Sequence, residues 1–124
     1  MAITQAMCTS FKKELMTAVH NFTTTTGNTF KLALFRATAS IVGTFGAGTT
    51  NYSAMGADEA SGTNYTAGGS NLTNVTPTSS GTTALTDFAD LVFTNVTITT
   101  RGALIYNSSA TNKAVAVFDF GRRP

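Results

Sequence analysis

One thiol, one imidazole and six carboxylates are the chain's whole stock for nucleophilic or metal chemistry: Cys8, His20, Glu14, Asp58, Glu59, Asp87, Asp90 and Asp119. A cysteine nucleophile needs a base within hydrogen-bond reach. Cys8 and His20 lie on one predicted helix, about 18 Å apart along an axis rising about 1.5 Å per residue, so Cys8 reads as a buried reduced thiol. A zinc site of thiolates and imidazoles would lack members. Asp87 and Asp90 could pair around a short turn, and Asp58 with Glu59 could ligate a hard cation, but neither pair has calcium-loop spacing. They read as solvated turn carboxylates. No metal, cofactor or catalytic residue is expected, and the chain is not expected to be an enzyme.

The remaining motif matches are incomplete. GTFGAG, around Gly43, Gly46 and Gly48, has neither the Lys-Ser/Thr of a phosphate loop nor dinucleotide-binding spacing. Asp119-Phe120-Gly121 matches a kinase triplet without the glycine-rich loop, lysine or catalytic loop that go with it. Lys12-Lys13 and Arg122-Arg123 are short basic pairs without an aromatic stacking platform. With a net charge of +2 and 11% charged residues, specific nucleic-acid binding is not expected. No apolar run approaches the roughly 18 residues of a membrane span, and no membrane partner is expected. The lysines follow the mildly apolar opening instead of preceding it, the reverse of a secretory signal. Folding in a reducing cytoplasm is therefore expected, and the Asn-x-Ser/Thr triplets at Asn21, Asn51, Asn64, Asn71, Asn74, Asn95 and Asn107 read as coincidental.

Threonine fills 25 of the 124 positions, beside 11 Gly and 2 Pro. Branched at Cβ, it suits a pleated and partly wet surface, so the composition is that of a β-rich domain that solvates its sheets without charge. Met7, Phe11, Leu15, Ala18, Val19 and Phe22 recur at spacings of three and four, predicting an amphipathic helix from Thr4 to about Phe22. Thr4 is its expected N-cap, and His20 in the last turn is expected to bond a free carbonyl. Asn21 to Asn28 reads as a loop. Phe30 to Ala37 alternates Phe30, Leu32 and Leu34 with Lys31, Ala33 and Phe35, predicting a strand with one face buried more deeply. Ser40 to Ser70 is rich in Gly, Thr, Asn and Ser, with Phe45, Tyr52, Met55 and Tyr65 as bulky anchors. A loop of this length is where contact with another molecule is expected.

Leu72 to Thr78 reads as a weaker strand that Pro77 confines to an edge. Leu91 to Phe93 and Val96 to Tyr106 follow, with Gly102 permitting a bend or bulge. Asn107 to Asn112 is a predicted turn, and Ala114 to Phe120 should pair with the preceding strand as an antiparallel hairpin. The expected class is α+β, mainly β: an antiparallel sheet or sandwich with one N-terminal amphipathic helix, in a single domain over 1–124. The apolar area is barely adequate for a monomer of this size, and assembly with other copies would relieve that.

The opening MAITQAMCTSFKKEL, the central NYTAGGSNLTNV, the VFTNVTITTRGALIYN block and the closing NKAVAVFDFG together resemble a family of small tailed-bacteriophage virion structural proteins, capsid- or tail-associated. The resemblance covers both ends and the latter half of the chain and leaves Ser40 to Glu59 poorly matched, as a variable exposed loop would be. It implies a virion component made in the infected bacterium's cytoplasm and incorporated in many copies. The expected role is a capsid decoration or cement protein, a homo-oligomer bound to the major capsid protein or other virion proteins. The alternatives are a tail or head-to-tail component, fibre or adaptor, and a host-receptor or carbohydrate-binding module with Tyr52, Tyr65 and Tyr106 as stacking residues. Contacts are expected on the helix and the Gly/Thr loops, at Phe11, Phe45, Tyr52 and Tyr65. The resemblance implies a further strand after the Asp119-Phe120-Gly121 triplet, where this sequence has Arg122, Arg123 and Pro124, so the last sheet edge is left open and could be completed by a neighbouring subunit.

Overall fold

The computed structural model describes residues 5–36, 45–89, 91–93, 98 and 100–120. Its chain runs β1 (Ala6–Met7), α1 (Thr9–Met16), β2 (Phe30–Arg36), β3 (Ser70–Asn71), β4 (Asn74–Ser80), β5 (Thr83–Phe88), β6 (Thr100–Asn107) and β7 (Lys113–Asp119). Five strands form one sheet in the order β1-β7-β6-β2-β3, and β4 and β5 form a separate two-stranded ribbon. Every pairing is antiparallel. The protein is mainly antiparallel β with one short N-terminal helix.

The expected β2 strand and the β6–β7 hairpin are present, and Gly102 borders a register shift where β6 passes Phe35 and Arg36. The single deeply buried face is not. Register places Ala33, Leu104 and Val117 side by side on one face, and Leu34, Ala103 and Phe118 on the other. The first set belongs to a large cluster with Cys8, Phe11, Phe35, Phe45 and Met55. The second packs with Ala60, Tyr65, Phe93 and Ile98. Both faces of the sheet are therefore covered, and β2 is apolar on both sides because it has no solvent side. Phe30 extends the core by stacking on Phe22, with ring centroids 4.3 Å apart, and both contact Phe88.

The helix is much shorter than its apolar spacing predicts. It begins after Cys8, whose carbonyl accepts from Lys12 N–H, and the first free N–H, that of Thr9, is capped by the Ala47 carbonyl at 2.8 Å. Thr4, the expected N-cap, lies outside the described residues. At the other end Ala18 N–H donates to the Leu15 carbonyl and Val19 N–H to the Glu14 carbonyl at 3.0 Å. These two bonds, with Ala18 at φ 60°, form a Schellman closure. Val19 and Phe22 keep helical spacing but lie on non-helical chain, where Phe22 reaches Phe30 instead of extending α1.

Other boundaries shift for local reasons. The weaker strand occupies Asn74–Ser80, with Pro77 inside the irregularity between the Val75 and Thr78 pairs. Its partner β5 carries no clear alternation because the ribbon is exposed almost throughout. Leu91 to Phe93 is not a strand, and β6 starts at Thr100; Val96 lies outside the described residues. The turn after β6 is a 3-10 turn over Ser108–Ala110, closed by Thr111 and Asn112 in the left-handed region. Both edges of the main sheet are blunted. β1 covers part of β7, Ala114 N–H donates to the Thr50 carbonyl, and β3 covers the start of β2 while Ala60 N–H bonds the Leu34 carbonyl.

Alanine in the left-handed region is disfavoured relative to glycine. Replacing Ala18 by glycine should stabilise the fold by about 0.5–1 kcal/mol, after allowing for the extra freedom of the unfolded chain. Thermal unfolding followed by circular dichroism should show a melting point higher by a few degrees.

Candidate functional site

Contact with another molecule is expected in Ser40 to Ser70; residues 40–44 lie outside the described residues, and much of the rest is fastened to the sheet. Glu59 lies next to β2, bridging to Phe35. One carboxylate oxygen accepts from the Tyr52 hydroxyl, and the other accepts from the Tyr65 hydroxyl at 2.6 Å and the Gly68 N–H at 2.7 Å. The Tyr65 hydroxyl in turn accepts from Leu34 N–H at 2.9 Å, tying the loop to the strand. Tyr106, on β6, donates to the Gly68 carbonyl and stacks on Tyr52 with centroids 4.6 Å apart. Gly69 makes this approach possible. At φ 81° a Cβ there would lie 1.8 Å from the Leu32 carbonyl oxygen, so only glycine fits.

A second cluster joins the helix to the end of β6. Asn107 Oδ1 accepts from Ser109 N–H, and its Nδ2 reaches both Asn28 Oδ1 and His20 Nδ1 at 3.0 Å. That orientation makes Nδ1 the acceptor, so the ring carries its proton on Nε2 and donates to Glu14 at 2.8 Å. His20 is thus bonded to side chains and not to a helix carbonyl, because the helix has ended before it. Phe11 lies 4.9 Å from the ring and Phe30 6.2 Å, centroid to centroid. With both nitrogens engaged and aromatic neighbours beside it, the imidazole holds chain segments together.

The remaining ionisable groups fit the same pattern. Cys8 is fully buried, with its thiol directed to the Gly46 carbonyl, and burial followed by the Glu14 charge pushes its pKa up to about 11. It stays protonated at neutral pH and is a poor nucleophile. Asp58 and Glu59 are not solvated turn carboxylates: Asp58 is fully buried beside Arg36, 3.9 Å away, and Glu59 holds the tyrosines. Among the described residues no three potential metal ligands cluster. Asp87 is exposed and accepts from Phe88 N–H, while Asp90 lies outside the described residues.

The four residues expected to make intermolecular contacts fall into two pairs. Phe11 (4% exposed) and Phe45 (2%) are core side chains and present no surface. Tyr52 and Tyr65 are half-buried with their hydroxyls on Glu59, and Tyr106 is buried, so none stands free as a stacking platform. What the fold does expose is the β4–β5 ribbon, with Val75 42% and Leu85 48% accessible, and the outer side of α1, with Leu15 and Met16.

Among the described residues, the contacts that hold the ribbon lie at its base. Phe88 contacts Phe22 and Phe30, the Asn74 side chain donates to the Thr23 and Asn28 carbonyls, and Thr24 bonds both Asn74 and Thr76. Beyond that base, Val75, Thr76, Thr78, Leu85, Thr86 and Asp87 line an open groove of about 350 Å³. The sequence signal for this surface is faint: an isolated Val and Leu among Thr and Ser give neither a buried-strand pattern nor a charged one. Comparisons with protein-family models, curated proteins and solved structures find no match.

The chain's three tyrosines all sit in the Glu59 cluster, and each is shifted above its ordinary value of 10. Burial raises Tyr106 to about 12, with a further push from Glu59; burial and then the hydrogen bond to Glu59 raise Tyr52 and Tyr65 beyond that. The folded state thus holds phenolic protons that the unfolded chain releases near pH 10. The corresponding stability is complete below that pH and is lost as pH rises through the folded values. Phenolate absorbance and circular dichroism followed together should show no tyrosine titrating near pH 10 while the fold is intact, and phenolate should appear above that pH as the dichroism is lost.

Proposed function

We propose that the chain is a structural subunit of a tailed-bacteriophage particle, a capsid decoration or cement protein that stabilises the head by bridging major capsid subunits. The observation that carries this reading is the β4–β5 ribbon, projecting from a tightly fastened body and exposed on both faces. An isolated two-stranded ribbon is marginal in water. One that is anchored at its base by Phe88 and Asn74 and bears Val75 and Leu85 outward is suited to burial against another subunit. The resemblance supports the same reading. Its NYTAGGSNLTNV block spans Tyr65, Gly68, Gly69 and the start of the ribbon, and its NKAVAVFDFG block supplies β7.

In this reading the chain works by surface and not by reaction. Burial of apolar side chains contributes roughly 25 cal/mol per Å², and a specific contact covers roughly 800 Å² per partner. Because the subunit binds the assembled shell and not its separated parts, occupancy shifts the shell toward the assembled state by mass action. The low charge of the ribbon, where Asp87 is the one ionisable residue between Asn74 and Phe88, keeps the desolvation cost of that burial small.

Quantitative mass spectrometry of purified particles, with cryo-electron microscopy for location, tests the proposal. The expected result is a copy number comparable to that of the major capsid protein and density on the head exterior. Copies too few to reach each capsomer, or density confined to the tail, would exclude it.

A further inference from the structure

Two exposed patches on this chain complement one another. The first is the ribbon groove, where Val75 and Leu85 are apolar, Asp87 supplies a negative charge, and Thr76, Thr78 and Thr86 complete the walls. The second is the outer side of α1. Lys12 and Lys13 are both exposed there, and Met16 lies four and three residues further on, on the same helix side. Leu15 adjoins them, and Met16 is 82% exposed. Glu14, the carboxylate of this helix, is turned inward to His20, so the outer side carries only positive charge. We infer that the ribbon of one copy docks on the α1 face of a second copy, with Asp87 against Lys12 and Lys13 and the Val75–Leu85 groove over Leu15 and Met16.

Charge selects this occupant. Of the five described carboxylates, Glu14 is engaged with His20, Asp58 with Arg36 and Glu59 with the tyrosines, and Asp119 at the end of β7 has a partner of its own as well. The ribbon's Asp87 and the helix's lysine pair are left facing outward with opposite sign. Two ribbons laid face to face would instead oppose Asp87 with Asp87. A flexible, unbranched Met side chain also adapts to an irregular groove better than a branched one. Because the two patches lie on different elements, copies either exchange ribbon and helix reciprocally in a two-fold dimer or pass them on from neighbour to neighbour around a ring or along an array.

This inference rests on the assembly reading and adds the ribbon's partner to it. The test uses the full chain, with oligomeric mass followed by sedimentation equilibrium over a range of concentrations. The wild type should rise above its monomer mass of 12.9 kDa. A ribbon variant (Leu85→Lys with Asp87→Lys) and a helix variant (Lys12→Glu and Lys13→Glu with Met16→Glu) should each lose self-association while keeping the wild-type circular dichroism spectrum and melting point. Mixed in equal amounts, they should form a heterodimer and stop there, because one intact ribbon then meets one intact helix. A wild type that stays monomeric up to its solubility limit overturns the inference. So does a helix variant that still associates like the wild type, since the contact would then run ribbon to ribbon. A monomeric chain that is nonetheless found at high copy number in particles removes this contact alone and leaves the assembly reading standing.

Discussion

A sheet that is apolar on both faces must be covered twice, and among the described residues one eight-residue helix is available to do it. The helix and its flanking residues help to cover one face through Cys8 and Phe11. Loop residues do the rest: Phe45 and Met55 in the large cluster, Ala60, Tyr65, Phe93 and Ile98 in the small one. Loops make poor covers because their backbone groups have no ladder partners of their own and still need hydrogen bonds when buried. The polar clusters answer that constraint. Glu59 gathers three donors from the covering segment, and Asn107 binds the end of β6 to His20 and Asn28.

The same constraint accounts for the placement of the ionisable groups. A buried carboxylate costs free energy unless its oxygens are bonded. Glu59 receives two hydroxyls and an N–H, Asp58 lies beside Arg36, and Glu14 meets His20. Side chains that look like reactive chemistry in isolation are here fasteners between loops and sheet. The outer surface inherits what is left over, chiefly Thr, Ser and a few lysines, and among the described residues the ribbon beyond its base at Phe88 and Asn74 covers nothing in its own chain.

Much of the sheet was legible because burial writes itself into residue type. FKLALFR and KAVAVFD are dense in large apolar residues wherever they run through the core, and Gly102 sits beside a register shift as its freedom suggested. The helix end was not legible, since it rests on a left-handed Ala18, and alanine is otherwise the strongest helix former. β5 carries no period-two pattern because a strand wet on both faces has no need to alternate. The positions of Phe11 in the helix and Phe45 in the glycine-rich loop suggest contact residues, but the folded chain draws both into the core. The tyrosines could be singled out as bulky anchors, yet their meeting at Glu59 depends on how a distant loop crosses β2 and β6, which local spacing does not encode.

The convergence of aromatic residues at Glu59 also fixes what the molecule reveals of itself optically. With no tryptophan and just three tyrosines, all in that cluster, its intrinsic ultraviolet emission originates from the seam where loop meets sheet. A fluorescence trace therefore watches the cover come loose, whereas far-ultraviolet dichroism watches the strands beneath it. Any gap between the two signals would expose a state in which the sheet persists after its covering has lifted.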